Sequence, residues 1–259
     1  MTEIVIEGQT EFVEKALEIL KKYRIKVSED AEIVVSIGGD GTTLSVYRKR
    51  GKPILPVRTP KSLGYISDVG IENFDKICEK LISRDFYIEK RIMLDVFRNG
   101  KKVETAVNEV AIMQVPKEAM RFSVYANGKP LFGYEKIMGD GLIVSTPTGS
   151  TGYNRSAGGY ILEPNCNKIV VTLRYPIFLE AREERSKVIE DTSIIDFIFY
   201  RPDEAFMVVD NNFFKIKKFE KIEIRKSKKA FELVKLKGLE ESREAKEKRR
   251  KEWFERQEF

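Results

Sequence analysis

Histidine is absent from the 259 residues. That omission removes imidazole bases, Ser-His-Asp triads and histidine metal ligands from consideration. Acid–base work falls to carboxylates, lysine, tyrosine or a bound metal. Cys78 and Cys166 are the only cysteines, too few for a zinc site or a disulfide framework, and both read as packing residues. No apolar run approaches the ~18 residues of a membrane span, and the N-terminus lacks a basic-then-apolar leader pattern. A cytoplasmic protein with no membrane partner is therefore expected. The Gly-x-x-x-x-Gly-Lys-Ser/Thr loop is missing too, which disfavours a conventional Walker ATPase. Glutamine is scarce beside abundant lysine and glutamate, a balance often met in hyperthermophile proteins.

What is present starts with charge. The net charge is +6, yet residues 238–259 carry seven basic and seven acidic side chains, so the excess lies in the body of the chain. A mildly basic body suits a small phosphorylated ligand. No RNA-binding pattern of interleaved aromatic and basic residues is visible, and nucleic acid is not expected as a partner.

The first half alternates strand and helix patterns. Residues 3–6 form a short apolar strand, and Phe12, Ala16, Ile19 and Leu20 recur at helical spacing through Lys22. Residues 33–37 are an apolar run, interrupted only by Ser36 and ending in glycines, as in a buried parallel strand. A helix over 42–49 capped by a threonine, a strand over 53–57 and a helix over 71–81 complete a βαβ pattern, whose ligand site belongs at the carboxyl ends of the strands. After a boundary near 83–89 the pattern changes. Asn99-Gly100 and Asn127-Gly128 are hairpin turns, the first between strands 93–97 and 103–107, the second between 122–125 and 131–134. Further strands are expected over 169–173, 194–199, 205–209, 213–216 and 222–224. Residues 239–259 read as a solvated helix with Glu244/Lys248 and Glu247/Lys251 pairs and few anchors, mainly Leu239, Trp253 and Phe254. The expected fold is an α/β N-terminal domain, Rossmann-like with a parallel sheet (1–86), followed by a predominantly β domain (87–237) and a charged C-terminal helix (238–259).

Three motifs carry chemistry. In Gly38-Gly39-Asp40-Gly41-Thr42 the glycines allow close backbone approach to an anion, and the amides at the following helix start can face phosphate oxygens. Asp40 can orient or deprotonate an attacking hydroxyl, or hold a magnesium-bound polyphosphate. A plain strand-to-helix turn fits the same residues, and they leave both readings open. Asn108-Glu109, within the strand-like stretch 107–113, is either a solvent-facing pair or a reader of the polar edge of a nucleobase or ribose. The block 139–159 adds Asp140 for ribose hydroxyls, the hydroxyls of Thr148, Thr151 and Ser156, and a Tyr153 ring to stack. A surface loop accounts poorly for so many small residues directly off the apolar run 142–144. The two glycine-rich turns together suggest a nucleotide-dependent transferase.

Taken in order, Gly38-Gly39-Asp40-Gly41, Asn108-Glu109 and Gly139-Asp140-Gly141 with Thr146-Pro147-Thr148-Gly149-Ser150-Thr151 and Ser156-Ala157-Gly158-Gly159 resemble the NAD kinase family over roughly residues 30–225. That family phosphorylates the adenosine 2′-hydroxyl of NAD. The resemblance implies ATP or inorganic polyphosphate as donor, Mg²⁺ dependence and a homodimer or homotetramer. It makes Asp40 the candidate catalytic carboxylate, and Gly38, Gly39, Gly41 and Thr42 the donor-phosphate contacts. Asp40, Gly41, Tyr65, Asn108, Glu109, Asp140, Thr148, Thr151, Gly152, Tyr153 and Ser156 would hold NAD.

The chain also departs from the family. Where a Gly-Ile-Asn-x-Gly-x-Leu-Gly-Phe pattern is usual it reads Val57-Arg58-Thr59-Pro60-Lys61-Ser62-Leu63-Gly64-Tyr65, which brings Arg58 and Lys61 as further donor-phosphate candidates. Gly152 replaces an alanine, Tyr160 a proline, residues 176–180 a proline-histidine-serine segment, and Asp210-Asn211-Asn212 an Asp-Gly turn. These changes leave two alternatives: a catalytically silent NAD-binding paralogue serving as sensor or subunit, and a kinase with another hydroxyl-bearing acceptor.

Overall fold

A computed structural model describes residues 2–115, 118–177 and 185–256, so residues 178–180 of the remodelled 176–180 segment lie outside the described residues. The chain divides into two units, 1–90 with 232–259, and 91–231. The tail expected as a separate segment therefore belongs to the first unit.

The first unit runs β1 (Glu3–Gly8), α1 (Thr10–Lys22), β2 (Lys26–Val27), β3 (Val34–Ile37), α2 (Asp40–Arg50), β4 (Ile54–Arg58), β5 (Val69–Gly70) and, after a 3-10 turn, α3 (Phe74–Ile82). Its strands pair in parallel in the order β2-β1-β3-β4-β5. All four residues of β3 are buried, as a central parallel strand requires. Phe12, Ala16 and Leu20 of α1 and Phe74, Ile77, Cys78 and Leu81 of α3 share a core with Ile4, Val35, Ile37, Leu55 and Val57. Burying each of the larger side chains contributes ~1.5–3 kcal/mol. Helix α2 differs from expectation at its start. It begins at Asp40, two residues early, with Gly39 as cap, so no side chain is present at the cap position to bond the first amides and the expected threonine lies inside the helix.

The second unit is a sandwich of antiparallel sheets. Strands β6 (Phe86–Arg98) and β7 (Lys101–Ala106) form a hairpin whose Asn99 and Gly100 both have positive φ, as the dipeptide predicts. β8 (Glu109–Gln114), β9 (Met120–Ala126), β10 (Lys129–Pro130), β11 (Ile137–Gly139) and β12 (Gly141–Ser145) follow. The chain then passes through the short helix α4 (Tyr153–Ser156) to β13 (Lys168–Arg174), β14 (Ser186–Glu190), β15 (Ile195–Arg201), β16 (Glu204–Val209), β17 (Asn212–Lys217) and β18 (Ile222–Leu236). One sheet has the order β14-β13-β12-β8-β16-β17; in the other β9, β15 and β18 are neighbours. Alternate residues from both, among them Val110, Ile112, Leu142, Val144, Phe122, Phe197 and Phe199, fill one core.

Two expectations fail here. Residues 131–134 are turn rather than strand, so the second hairpin is short. β18 runs twelve residues past 224, because the polar run Arg225–Lys229 hides an extended segment that sequence periodicity cannot see. From Glu232 on it belongs to the first unit, where Leu233 pairs in parallel with Ile54 of β4. The final helix is α5 (Arg243–Glu255), which starts at a Ser242 cap that accepts from the Ala245 amide. Among the described residues no helix is long and apolar enough to cross a membrane.

Candidate functional site

In the first unit the β3–α2 turn opens at the head of α2. The Gly38 amide donates to the Val57 carbonyl at 2.9 Å, which ties the turn to the end of β4. Gly38 has φ +157, and a Cβ there would lie 2.6 Å from the Thr42 hydroxyl. A side chain at Gly41 would meet nothing within 4 Å, so the head of α2 is open at this point. The first intrahelical bond runs from Thr43 to Gly39; helix geometry leaves the amides before it, those of Gly41 and Thr42 included, without intrahelical partners and available to phosphate.

Asp40 stands in this turn, and both carboxylate oxygens are occupied. Oδ2 accepts from the Tyr65 amide and Oδ1 from the Ile66 amide, each at 2.9 Å. Burial raises the carboxyl above its ordinary pKa, opposed by the Ile66 and Tyr65 bonds and by the charges of Lys246 and Arg249. The last two residues belong to α5, which the sequence presents as solvated. The structure corrects this. Lys246 is buried and pairs with Asp68 at 2.7 Å, while Glu247 accepts from the Tyr65 hydroxyl at 3.0 Å. Arg249 donates to the carbonyls of Leu63, Gly64 and Ser67. The docking face is charged rather than apolar, so hydrophobic periodicity gives no sign of it.

Arg58 and Lys61 are engaged with protein partners. Arg58 donates to the Asp68 carbonyl at 3.0 Å and pairs with Glu72 at 3.4 Å and Glu241 at 3.9 Å. Lys61, largely exposed, pairs with Glu11 at 2.8 Å.

In the second unit Asn108 and Glu109 stand at the start of β8, and a residue that sequence reasoning treated only as a departure holds them there. Asp210, buried in the turn between β16 and β17 with φ +51, accepts from the amides of Val107 at 2.8 Å, Asn108 at 2.8 Å and Glu109 at 3.0 Å. Its carboxylate thus satisfies three donors where β8 begins, and the loss of the usual glycine after it leaves this role intact. Glu109 is pushed up to about 8 by burial and by the Asp210 charge. It therefore holds a proton at neutral pH and can donate as well as accept.

The 139–159 block is tied to the same place. Thr146 donates from its amide to the Asn108 carbonyl at 2.9 Å and from its hydroxyl to the Val107 carbonyl at 2.7 Å. Gly149 lies so close to Asn108 that a Cβ would be 2.4 Å from its carbonyl oxygen. The Thr148 hydroxyl is buried with no partner among the described residues. Thr151 is half-buried, whereas Gly152, Tyr153 and Ser156 are exposed.

Tyr153 opens α4, and the Arg174 guanidinium lies 5.6 Å from its ring centre. Arg174 also donates to the Asp140 carbonyl at 3.1 Å, so Asp140 and Tyr153 share one neighbour. Asp140 precedes β12 while Glu109 pairs with Ser145 at its far end, a separation of ~17 Å at ~3.3 Å per residue. Asn154, absent from the sequence candidates, is fully buried and binds the carbonyls of Ser150 and Tyr160 and the Thr172 hydroxyl, pinning α4 to β13. Its place beside Tyr153 was the only signal for it.

Among the described residues no group of three or more carboxylate or cysteine side chains could hold a metal ion unaided.

Comparison with known proteins bears on both clusters. Residues 4–86 match the family model for the ATP-NAD kinase N-terminal domain, and 107–236 that for the ATP-NAD kinase C-terminal domain. An NAD kinase of Methanosarcina acetivorans is 36% identical over 201 residues, covering 76% of this chain and 70% of the relative. One of Pyrococcus abyssi is 31% identical over 210 residues, covering 79% and 73%. The fold matches the crystal structure of an NAD kinase from Archaeoglobus fulgidus in complex with ATP, with TM-score 0.79, 24% identity and coverage of 96% and 99%. It also matches yeast NADH kinase complexed with NADH, with TM-score 0.78, 17% identity and coverage of 92% and 85%.

Proposed function

This chain belongs to the NAD kinase family, and from that premise we propose that it moves a phosphoryl group from ATP or inorganic polyphosphate to the adenosine 2′-hydroxyl of NAD, giving NADP. The observation that carries the site reading is Asp40: a carboxylate held at the open head of α2 beside amides suited to phosphate. Asp40 orients the 2′-hydroxyl and takes its proton as the oxygen forms its bond to the terminal phosphorus. The bond from that phosphorus to the bridging oxygen breaks, and ADP or the shortened polyphosphate leaves. Burial makes Asp40 a better base than a surface carboxylate. The amides of Gly41 and Thr42 neutralise donor charge, and Mg²⁺, when bound beside Asp40, would supply further positive charge. Phosphoryl transfer needs positioning and charge neutralisation above all, so a chain without histidine suffices.

Asn108 and the protonated Glu109 read the polar edge of the adenosine, with Thr148 supplying a buried hydroxyl. Tyr65 in the first unit, and Asp140, Thr151, Gly152, Tyr153 and Ser156 in the second, are the further candidates for contact with NAD. Arg58 and Lys61 reach the donor only by exchanging their present carboxylate partners. A homodimer or homotetramer is part of the proposal, and light scattering of the purified protein tests it.

The activity test incubates the protein with NAD, Mg²⁺ and either ATP or polyphosphate, and detects NADP with an NADP-specific dehydrogenase. Asp40→Asn is expected to abolish NADP formation by cutting kcat while NAD still binds in calorimetry. Loss of NAD binding with kcat intact would remove Asp40 from the catalytic role. Binding of NAD to the wild type without turnover would identify a silent NAD-binding protein instead.

A further inference from the structure

We infer that α5 is part of the catalytic apparatus, with Arg249 as the residue that positions Asp40 through the 63–67 loop. The inference rests on the reading of Asp40 as the reacting carboxylate. Its geometric core is one peptide plane. The carbonyl of Gly64 and the amide of Tyr65 belong to the same planar, trans unit, so they point in opposite directions and cannot turn independently. On one side the Gly64 carbonyl accepts from Arg249 Nη2 at 3.4 Å; on the other the Tyr65 amide donates to Asp40 at 2.9 Å. Whatever holds the carbonyl aims the amide.

Arg249 is suited to that task. Its flat fork of donors reaches the carbonyls of Leu63, Gly64 and Ser67 together. The fork is itself held by Glu241, which accepts at 3.0 Å from Nε and at 2.8 Å from Nη2. Two more ties from α5 brace the same loop. Glu247 accepts from the Tyr65 hydroxyl, and Lys246 pairs with Asp68. Gly64 has φ +52, and a Cβ there would lie 2.6 Å from that of Arg58, so the turn that aligns these groups is closely specified. A helix that merely covered the surface would present apolar side chains. This one presents three charged residues, each joined to a residue of 63–68.

The test uses the full-length protein with NAD and Mg²⁺-ATP, in the wild type and in Arg249→Ala, Arg249→Lys, Lys248→Ala and Asp40→Asn. Lys248 is exposed on the same helix and serves as the control. Arg249→Ala is expected to lower kcat by about 10–100-fold, the scale of a misplaced reacting group, with KM for NAD within about threefold of wild type. Hydrogen exchange at the Tyr65 and Ile66 amides should accelerate while the strands of the first unit stay protected. Arg249→Lys keeps the charge without the fork and should fall between, and Lys248→Ala should match wild type. If Arg249→Ala melts below the assay temperature, Arg249→Lys carries the test, and wild-type kcat in it overturns the inference. Wild-type kcat in Arg249→Ala beside an inactive Asp40→Asn overturns the positioning role and leaves Asp40 catalytic. Wild-type kcat in Asp40→Asn overturns the reading beneath it.

Discussion

Replacing Glu109 by glutamine keeps the size and hydrogen-bonding capacity of the side chain and deletes only its titration. In the folded protein Glu109 is raised from 4.5 to about 8, first by burial and then by the neighbouring Asp210 charge. Between those two values the folded state holds a proton that the unfolded chain has lost. Stability therefore falls as pH rises from about 4.5 to about 8 and levels off above that. The gap, 8 minus 4.5, is about 3.5, and at ~1.4 kcal/mol for each it sets a ceiling of roughly 5 kcal/mol. Glu109 is only partly buried, and water reaching the carboxylate reduces this to an expected ~1–3 kcal/mol. The assay is guanidinium unfolding of both proteins at pH 5, 6.5 and 8, followed by circular dichroism. Taking the difference cancels every group the two proteins share. Glu109→Gln should gain ~1–3 kcal/mol on the wild type between pH 5 and pH 8. Parallel stability curves would refute the burial argument and with it a protonated Glu109 in the NAD site.

Asp210→Asn leaves one acceptor oxygen where two served the amides of Val107, Asn108 and Glu109. A loss of ~2–4 kcal/mol in the same unfolding assay is expected, together with weaker NAD binding in calorimetry. Asp68 sits between Lys235 at 2.5 Å and Lys246 at 2.7 Å, all three nearly buried. Burial alone would raise its carboxyl, but the two ammonium groups outweigh that and hold it below the usual range. Asp68→Asn strands both cations and should cost ~3–5 kcal/mol at pH 7. The penalty shrinks as pH falls through the folded pKa of Asp68, where the wild type loses the same charge; a penalty independent of pH would argue against the ion pair. Asn154→Ala removes a buried side chain with three polar partners and should cost ~2–4 kcal/mol, read as a lower guanidinium midpoint.

Much of the fold was legible because it rests on local chemistry. The Asn99-Gly100 turn works because those residue types tolerate positive φ, a property each carries alone. The mostly apolar β3, Val34-Val35-Ser36-Ile37, followed by Gly38-Gly39-Asp40 announces a buried parallel strand feeding an open helix head, and both are present. The alternation of β15 and β16 shows in the order of their residues because one face of each meets a core. By itself, then, the sequence determined the two kinds of unit, the position of Asp40 at the head of α2 and the absence of imidazole chemistry.

Tertiary structure decided what depends on polar partners far apart in the chain, since such pairs leave no periodic trace. Asp210 reaches amides 101 to 103 positions earlier, and nothing around Asn108 asks for it. The long polar stretch of β18 reads as loop until its neighbours supply the ladder. The tail shows the physical reason most clearly. Its i,i+4 charges describe a solvated helix equally well, and only the fold places carbonyls of 63–67 and the buried Asp68 where Arg249 and Lys246 meet them. Apolar burial follows a pattern along the chain, whereas the worth of a charge depends on what surrounds it, and that exists only once the chain has folded.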